Sequence, residues 1–219
     1  MNLQILSQIE EVGIIAVLVI DRVEDAVPVA RALVEGGINV IELTLRTSAA
    51  VDALQEIKTH ISEVVAGIGT ILTLGQVKTV KAAGADFGVS PGLNRVVVKG
   101  AQQAQLPFMP GIATPSDIEQ ALELDCRYLK FFPAEPAGGL DYLKSMAAPY
   151  AHLGLQYIPL GGVNFENART YLESPLILAV GGSWIAPRGV INDQDWKSIT
   201  KNAQEGSRMV QQLRAKEKE

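Results

Sequence analysis

One lysine stands in unusual company, in the run Tyr128-Leu129-Lys130-Phe131-Phe132-Pro133. The run is short, apolar and aromatic, which is the composition of a buried strand. Side chains alternate across a strand, so Tyr128, Lys130 and Phe132 share one face and Leu129 and Phe131 the other. Aromatic neighbours desolvate an ammonium group and favour the neutral amine, a nucleophile towards carbonyl carbon. Lys130 is therefore a candidate for a Schiff base with a keto substrate. The plainer alternative is a lysine that snorkels from an edge strand to water.

A second stretch carries complementary groups. Over Val40 to Leu45 and the next residue, Val40, Glu42, Thr44 and Arg46 share one face and Ile41, Leu43 and Leu45 the other. The first face turns polar towards its C-terminal end. Arg46 can hold a carboxylate by a bidentate contact, and Glu42 can move protons beside a carbonyl. Further along, Gly67-Ile68-Gly69-Thr70, Ser90-Pro91-Gly92, Pro110-Gly111, Gly161-Gly162 and Gly181-Gly182-Ser183 each close an apolar run. Glycine lets a ligand approach the backbone, and amides at a helix N-terminus favour an anion. Tight turns against the core account for the same glycine pairs equally well. Only two histidines, His60 and His152, and one cysteine, Cys126, are present, so no metal site and no histidine triad is expected.

These groups need elements to hold them. An amphipathic segment from Met1 to Glu11 opens the chain. Strands are predicted over 14–20, 40–45, 64–68, 86–89, 107–109, 128–133, 155–158 and 176–180. Helices are predicted over 24–35, 48–58, 74–83, 94–104, 115–124, 140–147, 164–172 and 193–216. Thr114 is the expected N-cap of the sixth of these helices, with Pro115 at its first position. Strict alternation of strand and helix argues for a parallel sheet, and eight such units for a (β/α)8 TIM barrel with an extra N-terminal helix, one domain over 1–219. In such a barrel the site lies at the C-terminal ends of the strands, with phosphate held after the seventh and eighth. The competitor is an open doubly wound sheet. Its fingerprint needs a third glycine after Gly67 and Gly69, and Leu72 occupies that position.

Composition bounds the rest. The 219 residues are 47% hydrophobic, enough for a sizeable core, and a net charge of −5 with both signs interspersed suggests neither a nucleic-acid nor a membrane surface. A single cysteine fits a reducing cytoplasm, and the N-terminus lacks the pattern of a signal peptide.

The motifs Ile41-Glu42-Leu43-Thr44-Leu45-Arg46-Thr47, Gly67 to Thr70, Val89 to Gly92, Lys130-Phe131-Phe132-Pro133-Ala134-Glu135 and Gly181 to Trp184 together resemble the 2-keto-3-deoxy-6-phosphogluconate (KDPG) aldolases, over essentially the whole chain. The resemblance implies a class I aldolase without cofactor, typically a homotrimer. Such enzymes split KDPG into pyruvate and glyceraldehyde 3-phosphate in the Entner–Doudoroff pathway, and many members split 4-hydroxy-2-oxoglutarate (KHG) into pyruvate and glyoxylate. It assigns Lys130 to the Schiff base, Glu42 to proton transfer and Arg46 to the pyruvyl carboxylate. Thr70, Pro91 and Phe132 then line the pyruvyl pocket, and Gly161, Gly162, Gly181, Gly182 and Ser183 form the phosphate loops. One position departs. The family's phosphogluconate-specific pattern has threonine before the first glycine pair, where this chain has Leu160, as in relatives acting on the galactonate-derived C4 epimer. A phosphate-binding barrel with other chemistry, or with none, remains the alternative from a different class.

Overall fold

In the computed structural model, residues 3–216 are described; Met1 and Asn2 of the predicted opening segment, and 217–219, lie outside them. The elements run α1 (Leu3–Val12), β1 (Ile14–Leu18), α2 (Ala26–Glu35), β2 (Val40–Thr44), α3 (Ala50–His60), β3 (Val65–Gly69), α4 (Leu74–Ala82) and β4 (Phe87–Val89). There follow α5 (Arg95–Gln103), β5 (Phe108–Met109), β6 (Gly111–Ile112), α6 (Pro115–Glu123), β7 (Tyr128–Phe131) and α7 (Gly139–Ala147). The chain ends with β8 (Gln156–Pro159), α8 (Ala168–Leu172), β9 (Val180–Gly182), α9 (Arg188–Asn192) and α10 (Trp196–Lys216). Every strand pair is parallel. The strands form a six-stranded sheet in the order β5-β4-β3-β2-β1-β9 and a three-stranded sheet in the order β6-β7-β8.

Local chemistry sets the helix starts. Thr114 caps α6 as expected, in a capping box with Asp117 and with Pro115 at the first turn. Thr73 and Gln76 form the same box at α4, and Asn94 caps α5 by accepting from the Val96 amide. Two predicted helices start late. The Asn164 side chain accepts from the Glu166 and Asn167 amides, a turn that competes with helix, so α8 begins at Ala168. Gln194 takes a left-handed φ of 56°, and α10 begins beyond it, with the Asp195 carboxylate accepting from the Ser198 amide. The short α9 is not foreshadowed by periodicity.

Two predicted strands are divided between the sheets. The fifth continues past Met109 as β5 and β6 on either side of Pro110, which has no N–H to give; its carbonyl accepts from Lys130 N at 3.0 Å. The eighth, predicted over 176–180, exchanges hydrogen bonds with Tyr157 of β8 through Leu176 and Leu178, then pairs with β1 from Val180 to Gly182. Gly181 and Gly182 therefore lie in β9, opposite Ile15 and Ala16, and not in the loop beyond it.

Two apolar layers follow from the strand alternation. Ile41, Leu43, Leu129 and Phe131 join the outer layer beneath the helices. Ile15, Val17, Val40, Val65, Phe87, Met109, Ile158 and Leu160 form an inner cluster shared by both sheets, and Leu6 and Ile9 of α1 enter it from the N-terminal ends of the strands. Fully buried side chains such as Ile9 and Phe87 contribute about 1.5–3 kcal/mol each. Among the described residues no helix is long and apolar enough to cross a membrane.

At the other end, a polar clasp joins the loop after β1 to α9. Arg188 donates to both Asp21 oxygens at 2.7 Å, and Asn192 adds a third bond at 3.0 Å. The buried Asp25 accepts from Arg22 at 2.8 Å and from Gln194 at 2.9 Å. The hydrogen bonds from Arg188 and Asn192 lower the Asp21 carboxyl from 3.8 to about 2. A depressed carboxyl stabilises the fold above its unfolded value of 3.8, and that contribution is lost as pH falls through about 2. Urea unfolding of the parent and Asp21→Asn should therefore differ at pH of about 5 and converge near pH 2. A gap that is unchanged on acidification contradicts the clasp.

Candidate active site

Strand alternation puts Glu42 and Lys130 on the inner faces of β2 and β7. Their side chains meet there, with Lys130 Nζ 3.5 Å from Glu42 Oε1. Both are buried, Lys130 to 7% exposure and Glu42 to 1%. Buried together, the two side chains are each other's partner, and removing either leaves the other unpaired at a cost of about 3–5 kcal/mol. The Phe132 ring lies 5.2 Å from Nζ, supplying the aromatic wall expected from the sequence.

The space for this pair comes from a residue that the sequence reading named only as part of a strand-end motif. Gly69 is opposite Thr44 in the β2–β3 register, and a Cβ there would overlap the Glu42 carboxylate. Gly67, opposite Glu42, is likewise filled by the Phe87 ring. Glycine at alternate positions of β3 was the available signal, since alternate residues share a face. Thr70 follows at φ 62°, a left-handed conformation that is strained for a β-branched residue. Strain of this kind clusters at functional sites.

Pro91 is held by the Ser90 hydroxyl, which donates to the Gly92 carbonyl at 2.7 Å. The Pro91 carbonyl fills the space above Gly111, and Gly111 is the register partner of Lys130. Arg46 is exposed on the turn after β2, with its Nε donating to Thr44 Oγ1 at 3.2 Å. Neither Arg46 nor Ser183 hydrogen-bonds to Lys130 or Glu42; both lie beyond the strand ends.

The glycine pairs divide into two kinds. Gly161 and Gly162, at φ 91° and 86°, form a true loop after β8. Gly161 lies against Phe132, and Gly162 against Glu135, whose amide donates to the Gly161 carbonyl at 2.9 Å. Among the described residues the amides of Gly161, Gly162 and Ser183 have no acceptor. Gly181 and Gly182 instead make room in β9 for Leu160 and for the Trp184 indole. Leu160 is buried in the inner cluster, with its side chain over Gly181. The Trp184 ring stacks edge-on to Phe165 at 4.4 Å, and its N–H is buried without an acceptor.

The Glu135 carboxylate accepts from the Tyr171 hydroxyl, a contact unforeseen from the sequence. Burial, and then that carboxylate, push the Tyr171 phenol up. Among the described residues no group of three or more His, Cys, Asp or Glu is placed to hold a metal ion.

A parallel α/β fold with a buried lysine–carboxylate pair near the C-terminal ends of its strands has the form of a carbon–carbon lyase. The comparisons agree. The family model for KDPG and KHG aldolases matches residues 5–202. The chain is 41% identical over 206 residues to 2-dehydro-3-deoxy-phosphogluconate aldolase of Treponema pallidum, covering 94% of this chain and 97% of that relative. It is 40% identical to the KHG/KDPG aldolase of Escherichia coli, covering 88% and 89%. Among solved structures, KDPG aldolase of Legionella pneumophila, with pyruvate captured as a covalent carbinolamine, superposes with a TM-score of 0.87 at 38% identity, covering 92% of this chain and 97% of that one. The chain belongs to the KDPG and KHG aldolase family.

Gly69→Ala should displace the Glu42 carboxylate and lower turnover by about a hundredfold while the protein stays folded. Steady-state rates beside circular dichroism check this, and unchanged turnover in a folded variant refutes it.

Proposed function

We propose that this chain cleaves KDPG to pyruvate and glyceraldehyde 3-phosphate through an imine on Lys130. The observation that carries the proposal is the buried Lys130–Glu42 contact at 3.5 Å, because it pairs an amine with a proton acceptor away from water. Lys130 attacks the keto carbon, and loss of water gives the imine. A base then takes the proton of the C4 hydroxyl. The C3–C4 bond breaks, its electrons pass to the imine nitrogen as an enamine, and the aldehyde departs. Protonation at C3 and hydrolysis release pyruvate and restore the amine. Glu42 is the proton carrier, directly or through a water. Arg46 holds the carboxylate, and Thr70, Pro91 and Phe132 enclose the pyruvyl group.

The amides of Gly161, Gly162 and Ser183, which lack acceptors, hold the phosphate, with Gly181 and Gly182 in the strand that leads to Ser183. No metal or other cofactor enters this scheme. We take the two parallel sheets to close as one eight-stranded ring in a single domain, supported by the Pro110 carbonyl bond to Lys130 and the Tyr157 bonds to Leu176 and Leu178. Action as a homotrimer in the cytoplasm, within the Entner–Doudoroff pathway, follows the family resemblance.

A second reading concerns substrate choice. Leu160 offers no hydroxyl to a substrate C4 oxygen and matches relatives acting on the galactonate-derived epimer, which favours that epimer over KDPG itself.

Borohydride reduction in the presence of pyruvate, followed by peptide mass mapping, should place a pyruvyl adduct on Lys130. Lys130→Ala should abolish both adduct and turnover, and no adduct on folded protein refutes the imine. Cleavage rates on KDPG, its C4 epimer and KHG decide between the two substrate readings: a clear preference for the epimer or KHG would displace KDPG.

A further inference from the structure

The established chemistry leaves unexplained why Thr44, a buried hydroxyl 3% exposed, stands between two catalytic-face residues. Its surroundings give it one arrangement. Thr44 Oγ1 donates to the Leu18 carbonyl at 3.2 Å, at the end of the neighbouring β1. A hydroxyl has one proton, so with that proton committed the oxygen can only accept. It accepts from Arg46 Nε at 3.2 Å. Meanwhile the Arg46 amide donates to the Thr44 carbonyl at 2.7 Å, which folds the chain back so that guanidinium and hydroxyl meet.

The consequence is directional. A guanidinium is a planar fork of five N–H donors. Tying down Nε fixes its plane and leaves the two terminal amino groups free. Among the described residues, Arg22, Arg95, Arg169 and Arg188 each pair with a carboxylate, whereas Arg46, like Arg31, Arg127, Arg208 and Arg214, does not; what sets Arg46 apart is its place just past the end of the strand that carries Glu42. An arginine held at Nε, with no protein carboxylate, is prepared for a carboxylate from elsewhere.

We propose that Thr44 is a positioning residue, which relays the Leu18 carbonyl of β1 to Arg46 and so orients the guanidinium towards the substrate carboxylate. The inference rests on the role proposed for Arg46. Valine keeps the shape and removes the relay, whereas serine keeps the hydroxyl.

The test measures keto-acid cleavage and pyruvate trapping on the full chain carrying Thr44→Val, Thr44→Ser, Arg46→Ala, and Thr44→Val with Arg46→Ala. Thr44→Val should raise KM and the pyruvate concentration needed for trapping about tenfold, with kcat falling less. Thr44→Ser should restore most of the affinity. In the Arg46→Ala background, Thr44→Val should add nothing, since its only route is already gone. An equal further loss in that background would make Thr44 merely structural and overturn the proposal, as would a Thr44→Val protein with parent KM. If Arg46→Ala itself leaves KM and trapping unchanged, the carboxylate role of Arg46 falls and the relay with it. If Thr44→Val does not fold, the serine variant decides: parent-like KM supports the hydroxyl, and a large loss of affinity in folded protein refutes it.

Discussion

A buried lysine and a buried glutamate, in contact at 3.5 Å, form the constraint on which the rest of the molecule depends. Neither charge is tolerable alone at that depth, and neither partner has an alternative among the described residues. The surroundings are arranged to admit the pair. β3 gives up two side chains, at Gly67 and Gly69, so that the Phe87 ring and the Glu42 carboxylate have room. Phe132, just past the end of β7, supplies aromatic cover, and Pro91 seals the neighbouring strand by filling the space above Gly111. The inner cluster beneath keeps the pair at the boundary between a packed apolar layer and the polar loops.

The two apolar layers divide the labour. The outer one joins helices to sheets and sets the fold, using the odd-numbered residues of β2 and β7. The inner one uses the even-numbered residues and turns into the site at its upper rim. Functional and structural side chains therefore alternate along the same strands, and a one-residue slip would exchange them. Parallel register with β3, continuous from Val40 to Thr44, guards against that slip.

Much of this was legible in the sequence. Alternation put Glu42 on one face with Thr44, and Lys130 on one face with Tyr128 and Phe132, because a period of two needs only local information. The Thr114 cap was legible for the same reason. What escaped depended on distant partners. The division of the fifth strand at Pro110 shows only when the Lys130 amide is found on the Pro110 carbonyl. The change of partner between Leu178 and Val180 placed Gly181 and Gly182 in a strand where turn chemistry suggested a loop. The Asp21–Arg188 clasp joins residues separated by 167 positions, and no periodicity reports such a contact. Gly69 was visible as a residue, but its purpose appeared only once the Glu42 carboxylate lay against it.

The helix α1 gives the molecule a direction. Leu6 and Ile9 cover the inner cluster at the N-terminal ends of the strands, so that end is packed with apolar side chains. That leaves the loop end as the approach to Lys130 and Glu42. On the imine mechanism proposed above, a guest that bonds to Lys130 goes in keto end first, and its other half stays nearer the exit. The fragment without a tether walks out first, and the tethered one follows only after its bond is cut. Sequence of departure is thus written into the architecture, as in a cul-de-sac where the last car in is the first car out.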